Sequence, residues 1–173
     1  MQRMSMKMLI FALAQLSQLE EIFTMYTKAI QEMNSNKIYQ WDELYPMRED
    51  LEEDIKRNEL VAVFKENEIV AAYVVNQEAD EQYENGTWKY AGEKYRVLHR
   101  LCVNPAFQNQ GIARKVVGHM EEEQKNKGIK SIRLDVFTEN PYAVKLYKSL
   151  GYEITGSVEF RKGTFYLMEK YKE

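Results

Sequence analysis

Between Tyr95 and Gly151 the spacing of apolar residues changes period three times, and this switching constrains the fold more than any other feature. An alternation over Tyr95 to Val103, with Val97, His99, Leu101 and Val103 on one face, predicts a strand. Ile112, Val116, Val117 and Met120 then recur at helical spacing. Lys125, Lys127 and Gly128 close that helix with basic residues and a terminal glycine. Ser131 to Phe137 returns to strand. Asn140 and Pro141 open another helix as N-cap and first helical residue, and Leu150-Gly151 stops it. Strand, helix, strand, helix in succession implies helices packed on a sheet.

Upstream, Leu16, Leu19, Phe23, Tyr26, Ile30 and Met33 form one apolar stripe, which predicts a helix over 18–33. Ser17 and Glu20 have the spacing of a capping box at its start, and Asn34-Ser35-Asn36 ends it. Trp41, Tyr45 and Pro46 fall in a connecting loop. Met47, Leu51 and Ile55 give a short acidic helix. Leu60 to Phe64 and Ile69 to Val75 read as strands about a tight turn at Glu66-Asn67. Residues 76–94 are polar and contain Asn85-Gly86, a strong hairpin-turn signal. Two strands, about 152–160 and 164–170, finish the chain. Arg3 and Lys7 ahead of the run Met8 to Ala14 superficially imitate a secretory leader. That run is short and leads directly into the amphipathic helix, so residues 6–12 read as a first buried strand.

The chain has 173 residues, 45% of them hydrophobic, which suits a single domain with one sizeable core. Its one cysteine, Cys102, excludes an internal disulfide and makes a reducing, cytoplasmic setting the expectation. No stretch reaches the ~20 apolar residues of a membrane span. His99 and His119 have no cysteine cluster around them, so no metal site is expected. Charge is uneven. Residues 1–88 hold 8 Lys+Arg against 17 Asp+Glu, a balance of −9, and residues 89–173 hold 16 against 10, a balance of +6. A strongly basic nucleic-acid binder does not look like this, whereas two ligands of opposite charge, or segregated surface charge, do.

The loop from Asn104 to Ala113 carries the chemistry. A first helical turn presents unpaired N–H groups and the positive end of the helix dipole, and Gly111 lets an anion approach the backbone. Arg114 and Lys115 add positive charge where only a bound anion would relieve it. No Gly-Lys-Ser/Thr and no Gly-x-Gly-x-x-Gly is present, so neither a Walker loop nor a Rossmann turn is indicated. Taken alone, an ordinary strand–helix turn fits as well.

Gln108-x-x-Gly111-x-Ala113 resembles the Arg/Gln-x-x-Gly-x-Gly/Ala signature of the GNAT superfamily of acyl-CoA-dependent N-acyltransferases. Leu101 to Pro105 resembles the strand end before that family's pyrophosphate loop. Asn140, Ala143, Leu146, Tyr147, Gly151 and Tyr152 resemble its second motif, Asn-x-x-Ala-x-x-Leu-Tyr-x-x-x-Gly-Phe/Tyr. The resemblance implies an α/β (α+β) fold: a mixed, mostly antiparallel sheet of six to seven strands, splayed at the acyl-CoA site and flanked by about four helices. It divides the single domain 1–173 into an acceptor wall (1–58), a central sheet with the pyrophosphate loop and helix (60–137), and the second motif helix with terminal strands (140–173). It is weakest over 34–58 and 76–94.

The resemblance further implies the cosubstrate acetyl-CoA and no metal. Backbone of Leu101, Cys102 and Val103 would pair with the pantetheine, and a backbone N–H near Val103 would serve the oxyanion. Backbone N–H groups of Gln108, Asn109, Gln110, Gly111, Ile112 and Ala113 would hold the pyrophosphate, with Arg114 beside them; Asn140 would reach the pantetheine arm or the pyrophosphate side, and Ala143 would line the cofactor site. Asn140 also reads as a plain N-cap. Tyr147 would protonate the leaving thiolate, a role that suits a phenol with an unperturbed pKa of about 10. Its other reading is a core tyrosine. Candidate bases are His99 and Asp135; a satisfied strand histidine and an aspartate paired with Arg133 are the plain alternatives. Cys102 reads better as a buried strand residue than as a nucleophile.

The expected reaction is direct attack of a primary amine on the thioester through a tetrahedral intermediate. A cationic small-molecule acceptor is expected near Trp41, Tyr45 and the acidic run Glu49 to Asp54. Protein or peptide acetylation, and a CoA-binding sensor without turnover, are the competing readings. The terminal strands and residues 76–94 offer edges at which two copies would pair as a homodimer.

Overall fold

The computed structural model describes residues 8–173. The basic start at Arg3 and Lys7, and the first two residues of the expected strand at 6–12, lie outside them. Eleven main elements follow in chain order: β1 (Ile10–Leu13), α1 (Leu19–Ser35), α2 (Arg48–Lys56), β2 (Leu60–Lys65), β3 (Glu68–Asn76), β4 (Tyr95–Val103), α3 (Ile112–Asn126), β5 (Ser131–Phe137), α4 (Pro141–Ser149), β6 (Glu153–Phe160) and β7 (Gly163–Tyr171). The strands make one sheet in the order β1-β2-β3-β4-β5-β7-β6, antiparallel except for β4 beside β5. The mixed, mostly antiparallel sheet with four helices is the expected fold class.

Three apolar clusters fill the space around the sheet. On one face α1 and α2 cover the β1–β4 half through Ile22, Tyr26, Leu51, Ala72 and Val74. On the same face residues 77–94 cover the other half, with Tyr83 packed among Val97, Phe137 and Leu167. On the opposite face α3 and α4 pack Val116, Met120 and Tyr147 against Val70, Tyr73, Leu134 and Met168.

Four local expectations are corrected. Strand β1 starts at Ile10 and is an edge strand whose Ile10 and Leu13 stand mostly in solvent, not a buried strand. Helix α1 is preceded by a single turn, and the box there is Gln15 N–H donating to Gln18 Oε1, so Ser17 does not cap it. Asn85-Gly86 makes no hairpin; it ends a helical turn at Glu81–Asn85, and Gly86 has an ordinary φ of −76°. The tight turn expected at Glu66-Asn67 is present, and its φ values of 51° and 67° are the left-handed pair such a turn needs.

The fourth correction bears on function. Strand β4 does not keep one alternation. Val74 faces His99 but Ala72 faces Cys102, so Arg100 and Leu101 together oppose Tyr73 alone. Arg100 takes up the extra residue with φ 50°. The bulge turns the strand over. Val97 and Cys102 lie on the α1 side, and Leu98, Leu101 and Val103 on the α3–α4 side. His99, two residues from Val97 and before the bulge, stays on the α1 side, where it meets Asn76.

Candidate active site

Strands β4 and β5 pair only at Tyr95↔Ser131, Arg96↔Ile132 and Val97↔Arg133. Beyond Val97 they part, and the edge of β4 that faced β5 has no strand partner. A cleft of about 1600 Å³ occupies the gap and opens on both faces of the sheet. It is lined from β4 by His99 to Val103, from β5 by Asp135 and Val136, and from α4 by Ala143, Leu146 and Tyr147.

At the α3–α4 mouth the wall is backbone. Asn104 caps the turn Pro105–Phe107 by accepting from Ala106 N at 3.0 Å, and Asn104 Nδ2 ties the turn to Ile69 O. Gly111 precedes α3 with φ 73°. A Cβ there would meet nothing within 4 Å, so the left-handed backbone, not crowding, is what calls for glycine. Gln108, Asn109, Gly111, Ile112, Ala113 and Arg114 all line the cleft. The Gln110 side chain turns away from it, exposed and accepting from Lys65 Nζ at 3.4 Å. Arg114 donates to Ser149 Oγ at 2.7 Å, joining α3 to α4. Asn140 Oδ1 caps α4 on Ala143 N, while its Nδ2 donates to Gln40 Oε1 at 2.9 Å, so it is both cap and cleft wall.

At the apex stand the titratable groups. Tyr147 is buried, edge-on to Tyr152 with ring centres 5.5 Å apart. Burial, with Asp135 nearby, pushes its phenol well above the ordinary value, so it stays protonated. Among the described residues no protein group hydrogen-bonds that hydroxyl. Asp135 is raised to about 6 by burial, against the pull of a 2.7 Å hydrogen bond from Tyr83. It makes no pair with Arg133, whose guanidinium lies between Trp88 (4.3 Å) and Tyr95 (3.9 Å). His99 is lowered to about 4 by burial and by neighbouring Arg100. Its Nε2 sits 2.8 Å from Asn76 Oδ1 and 2.9 Å from the Glu78 carbonyl. Both are acceptors, since Asn76 Oδ1 also takes the Glu78 N–H, so Nε2 carries the proton and the ring is neutral. Burial pushes the Cys102 thiol far up, which makes it inert.

The mouth on the α1 side is made by side chains. Trp41 is buried against Tyr26, ring centres 5.6 Å apart. Tyr26 donates to the carbonyl of Arg100, the residue at the bulge. The Arg100 guanidinium is held by both oxygens of Asp54 at 2.9 and 2.6 Å, and donates to the Tyr45 hydroxyl at 2.7 Å. Trp41 and Tyr45 line the cleft, and no residue of the run Glu49 to Asp54 does. Four of its five carboxylates make internal bonds: Asp50 accepts from Met47 N, Glu52 pairs with Arg48 and Lys56, Glu53 with Arg57 and Asp54 with Arg100. The acidic lining comes instead from Glu32, Glu78, Asp80 and Asp135. Asp42 accepts from Arg161 at 2.8 and 2.7 Å and from Lys162 at 3.3 Å, clasping the α1–α2 loop to the β6–β7 turn at the rim.

Arg100, Tyr83 and Asp42 were not among the expected site residues, and Asp54 was expected only as the end of the acidic run beside the acceptor. Only the left-handed Arg100 has a local cause, and a bulge leaves no mark in an alternating pattern.

Residues 18–152 match the acetyltransferase (GNAT) family. The chain belongs to that family. A GNAT-family acetyltransferase from Streptococcus agalactiae shares the fold, with a TM-score of 0.85 and 22% identity over 95% of this chain and 96% of that one. The [ribosomal protein bS18]-alanine N-acetyltransferase of Escherichia coli (strain K12) is 34% identical over 55 residues, which are 32% of this chain and 37% of that one. The L-methionine sulfoximine/L-methionine sulfone acetyltransferase of Salmonella typhimurium is 28% identical over 74 residues, 42% of this chain and 43% of that one. Each match thus spans less than half of the curated relative. Among the described residues of this GNAT chain, no helix is long and apolar enough to cross a membrane.

Proposed function

We propose that this GNAT chain transfers an acetyl group from acetyl-CoA to the primary amine of a compact, cationic small molecule. The observation that carries the reading is the parting of β4 from β5 beyond Val97, with a left-handed glycine and a free helix N-terminus at one mouth and a buried carboxyl at the apex. The unpaired edge of β4 at Leu101 to Val103 suits the amides of a pantetheine arm, as an added strand would. The first amides of α3, with Arg114 beside them, suit a pyrophosphate.

Tyr147 and Asp135 divide the proton work. The amine nitrogen attacks the thioester carbonyl; a C–N bond forms and the C–S bond breaks. Asp135 takes the proton that the amine must lose, and Tyr147 gives one to the departing sulfur. Asp135 suits a base at neutral pH because its pKa of about 6 leaves it mostly ionised yet close to the working range. His99, at about 4, is the weaker base and serves as an uncharged wall. Asp80 and Asp135 on the α1 side favour a cationic acceptor, and the Asp42–Arg161 clasp favours a compact one over an extended peptide. The partial likeness to the ribosomal-protein acetyltransferase favours a peptide N-terminus as the second reading.

Isothermal titration of the purified protein with acetyl-CoA, beside ATP and NAD, tests the donor. Release of CoA thiol with a panel of amines then tests the acceptor. Acetyl-CoA alone is expected to bind, and small cationic amines are expected to release thiol faster than peptides. No binding of acetyl-CoA, with or without amines present, would overturn the reading.

A further inference from the structure

Residues 77–94, where the resemblance to the family is weakest, deliver a side chain to the apex of the cleft. Tyr83 is 3% exposed and its hydroxyl donates to Asp135 Oδ2 at 2.7 Å. Asp135 Oδ1 has no protein partner among the described residues, and Asp135 lines the cleft. Tyr83 is fixed from behind. Trp88 Nε1 donates to the Tyr83 carbonyl at 2.8 Å, and the Trp88 ring rests on Arg133. Thr87 N donates to Thr155 O at 2.8 Å and Lys89 N to Glu169 Oε1 at 2.5 Å, pinning the segment to β6 and β7. Gly156 admits it: a Cβ there would stand 3.2 Å from Asn85 O and from Gly86 Cα. These contacts leave the phenol little freedom to leave the carboxylate.

We propose that Tyr83 is a positioning residue for the transfer, holding the Asp135 carboxylate by one oxygen so that the other faces the acceptor amine. The proposal rests on the reading of Asp135 as the proton acceptor. Five groups face that carboxyl: Tyr83 and Asp80 from residues 77–94, Arg100 from β4, Tyr147 from α4 and Tyr45 from the α1–α2 loop. Donation from Tyr83 and the charge of Arg100 favour the ionised form, and the charge of Asp80 opposes it. Removing Tyr83's hydroxyl and removing Asp80's charge must therefore move the titration of Asp135 in opposite directions. General loosening of the segment cannot do this, because added water would lower the titration in both variants.

The test follows the C=O stretch of the protonated carboxyl in infrared titrations, assigned by its loss in Asp135→Asn. In Tyr83→Phe the midpoint is expected to rise by about one pH unit, the scale of one lost hydrogen bond to a carboxylate. In Asp80→Asn it is expected to fall. Fluorotyrosine in place of Tyr83 keeps the ring, strengthens the donor and is expected to lower the midpoint, which covers the case of a poorly folded Tyr83→Phe. The acidic limb of kcat/KM, read as CoA thiol release at saturating acetyl-CoA with the fastest amine of the panel, is expected to follow each midpoint. A midpoint that stays in place or falls in Tyr83→Phe, and does not fall with fluorotyrosine, overturns the proposal while leaving Asp135 as base. Midpoints that move without the limb following overturn both. A panel with no active amine overturns the enzyme reading, and the role of Tyr83 falls with it.

Discussion

The mouth of the cleft between α3 and α4 is made of backbone, and the mouth beside α1 is made of side chains that reach across the fold. In the first, the parts fall in two short stretches of chain: Asn104 to the first amides of α3, and Asn140 with the start of α4. In the second, Asp54 meets Arg100, Tyr83 meets Asp135, and Asp42 meets Arg161, pairs separated by 46, 52 and 119 residues. The comparison teaches where specificity is stored. On the proposed reading, the backbone cradle holds the acyl donor, and the side-chain network, which is free to differ from chain to chain, selects the acceptor.

The network's strongest link is the sharpest way to break the comparison. Arg100 and Asp54 are mostly buried, with 14% and 8% of their side chains exposed. Asp54→Ala leaves the guanidinium without its bidentate partner, and removing one member of a buried pair costs about 3–5 kcal/mol. Urea unfolding is expected to show a loss of that size, together with weakened acceptor use through Tyr45, while acetyl-CoA affinity stays near that of the parent. A loss below 1 kcal/mol would mean that the α1-side mouth is not held by this pair.

Asp135 provides a prediction of opposite sign. Its folded-state pKa of about 6 lies above the ordinary 3.8. Folding therefore favours the protonated form: the contribution of Asp135 to stability is fully present below about pH 4, is lost as pH rises through about 6, and is flat beyond. Two units correspond to about 3 kcal/mol at neutral pH, an upper figure for a group with some access to the cleft. Asp135→Asn is expected to be the more stable protein at pH 7, to lose that advantage below pH 4, and to lose most of its turnover. Chemical unfolding at the two pH values checks the first part, and thiol release the second. Equal stability at both would show that the apex is better solvated than its surroundings indicate.

These two mouths were not equally legible in the sequence. The succession of strands along the chain, the four helices and the loop before α3 follow from local spacing, because a period of two or 3.6 and a cap at Asn140 are set by neighbours in the chain. Gly111 was visible for the same reason. The bulge was not: Val97, His99, Leu101 and Val103 alternate without a break, and only the pairing with Tyr73 shows that Arg100 turns the strand over. The run Glu49 to Asp54 looked like a recognition surface because composition cannot tell a carboxylate that waits for a ligand from one that already holds Arg48, Arg57 or Arg100. Asn85-Gly86 failed as a turn because residues 77–94 are shaped by packing on β5, β6 and β7, which outweighs a two-residue preference.

On the backbone side the expected effect is smaller. Gly111→Ala forces a side chain into φ 73°, at a cost of about 1–2 kcal/mol, without any clash to add to it. Gly111→Asn is expected to cost less, because asparagine tolerates the left-handed region. If the amides before α3 form the cradle, acetyl-CoA affinity falls in the same order, alanine more than asparagine, in calorimetric titration. Stability loss without loss of affinity would detach the loop from the cofactor.

The smallest effect on stability, and the finest test of the comparison, belongs to the clasp. Half of the Arg161 side chain is exposed, and pairs of that kind contribute about 0–1 kcal/mol. Asp42 is nonetheless held far below the usual carboxylate range by Arg161, Leu44 N–H and Lys162, so the clasp stays charged through the whole range in which Asp135 titrates. Asp42→Ala should therefore leave the melting temperature nearly unchanged while freeing the α1–α2 loop from the β6–β7 turn. If the clasp selects for compact acceptors, KM for a small cationic amine rises and peptide amines gain kcat/KM relative to it. Raised salt should move the wild type the same way and the variant little, because screening acts on the pair that the variant lacks. A wild type that already prefers peptides, and a variant that keeps that preference, would place selection deeper, at Trp41 and Tyr45, and would leave the rim as a brace between two loops.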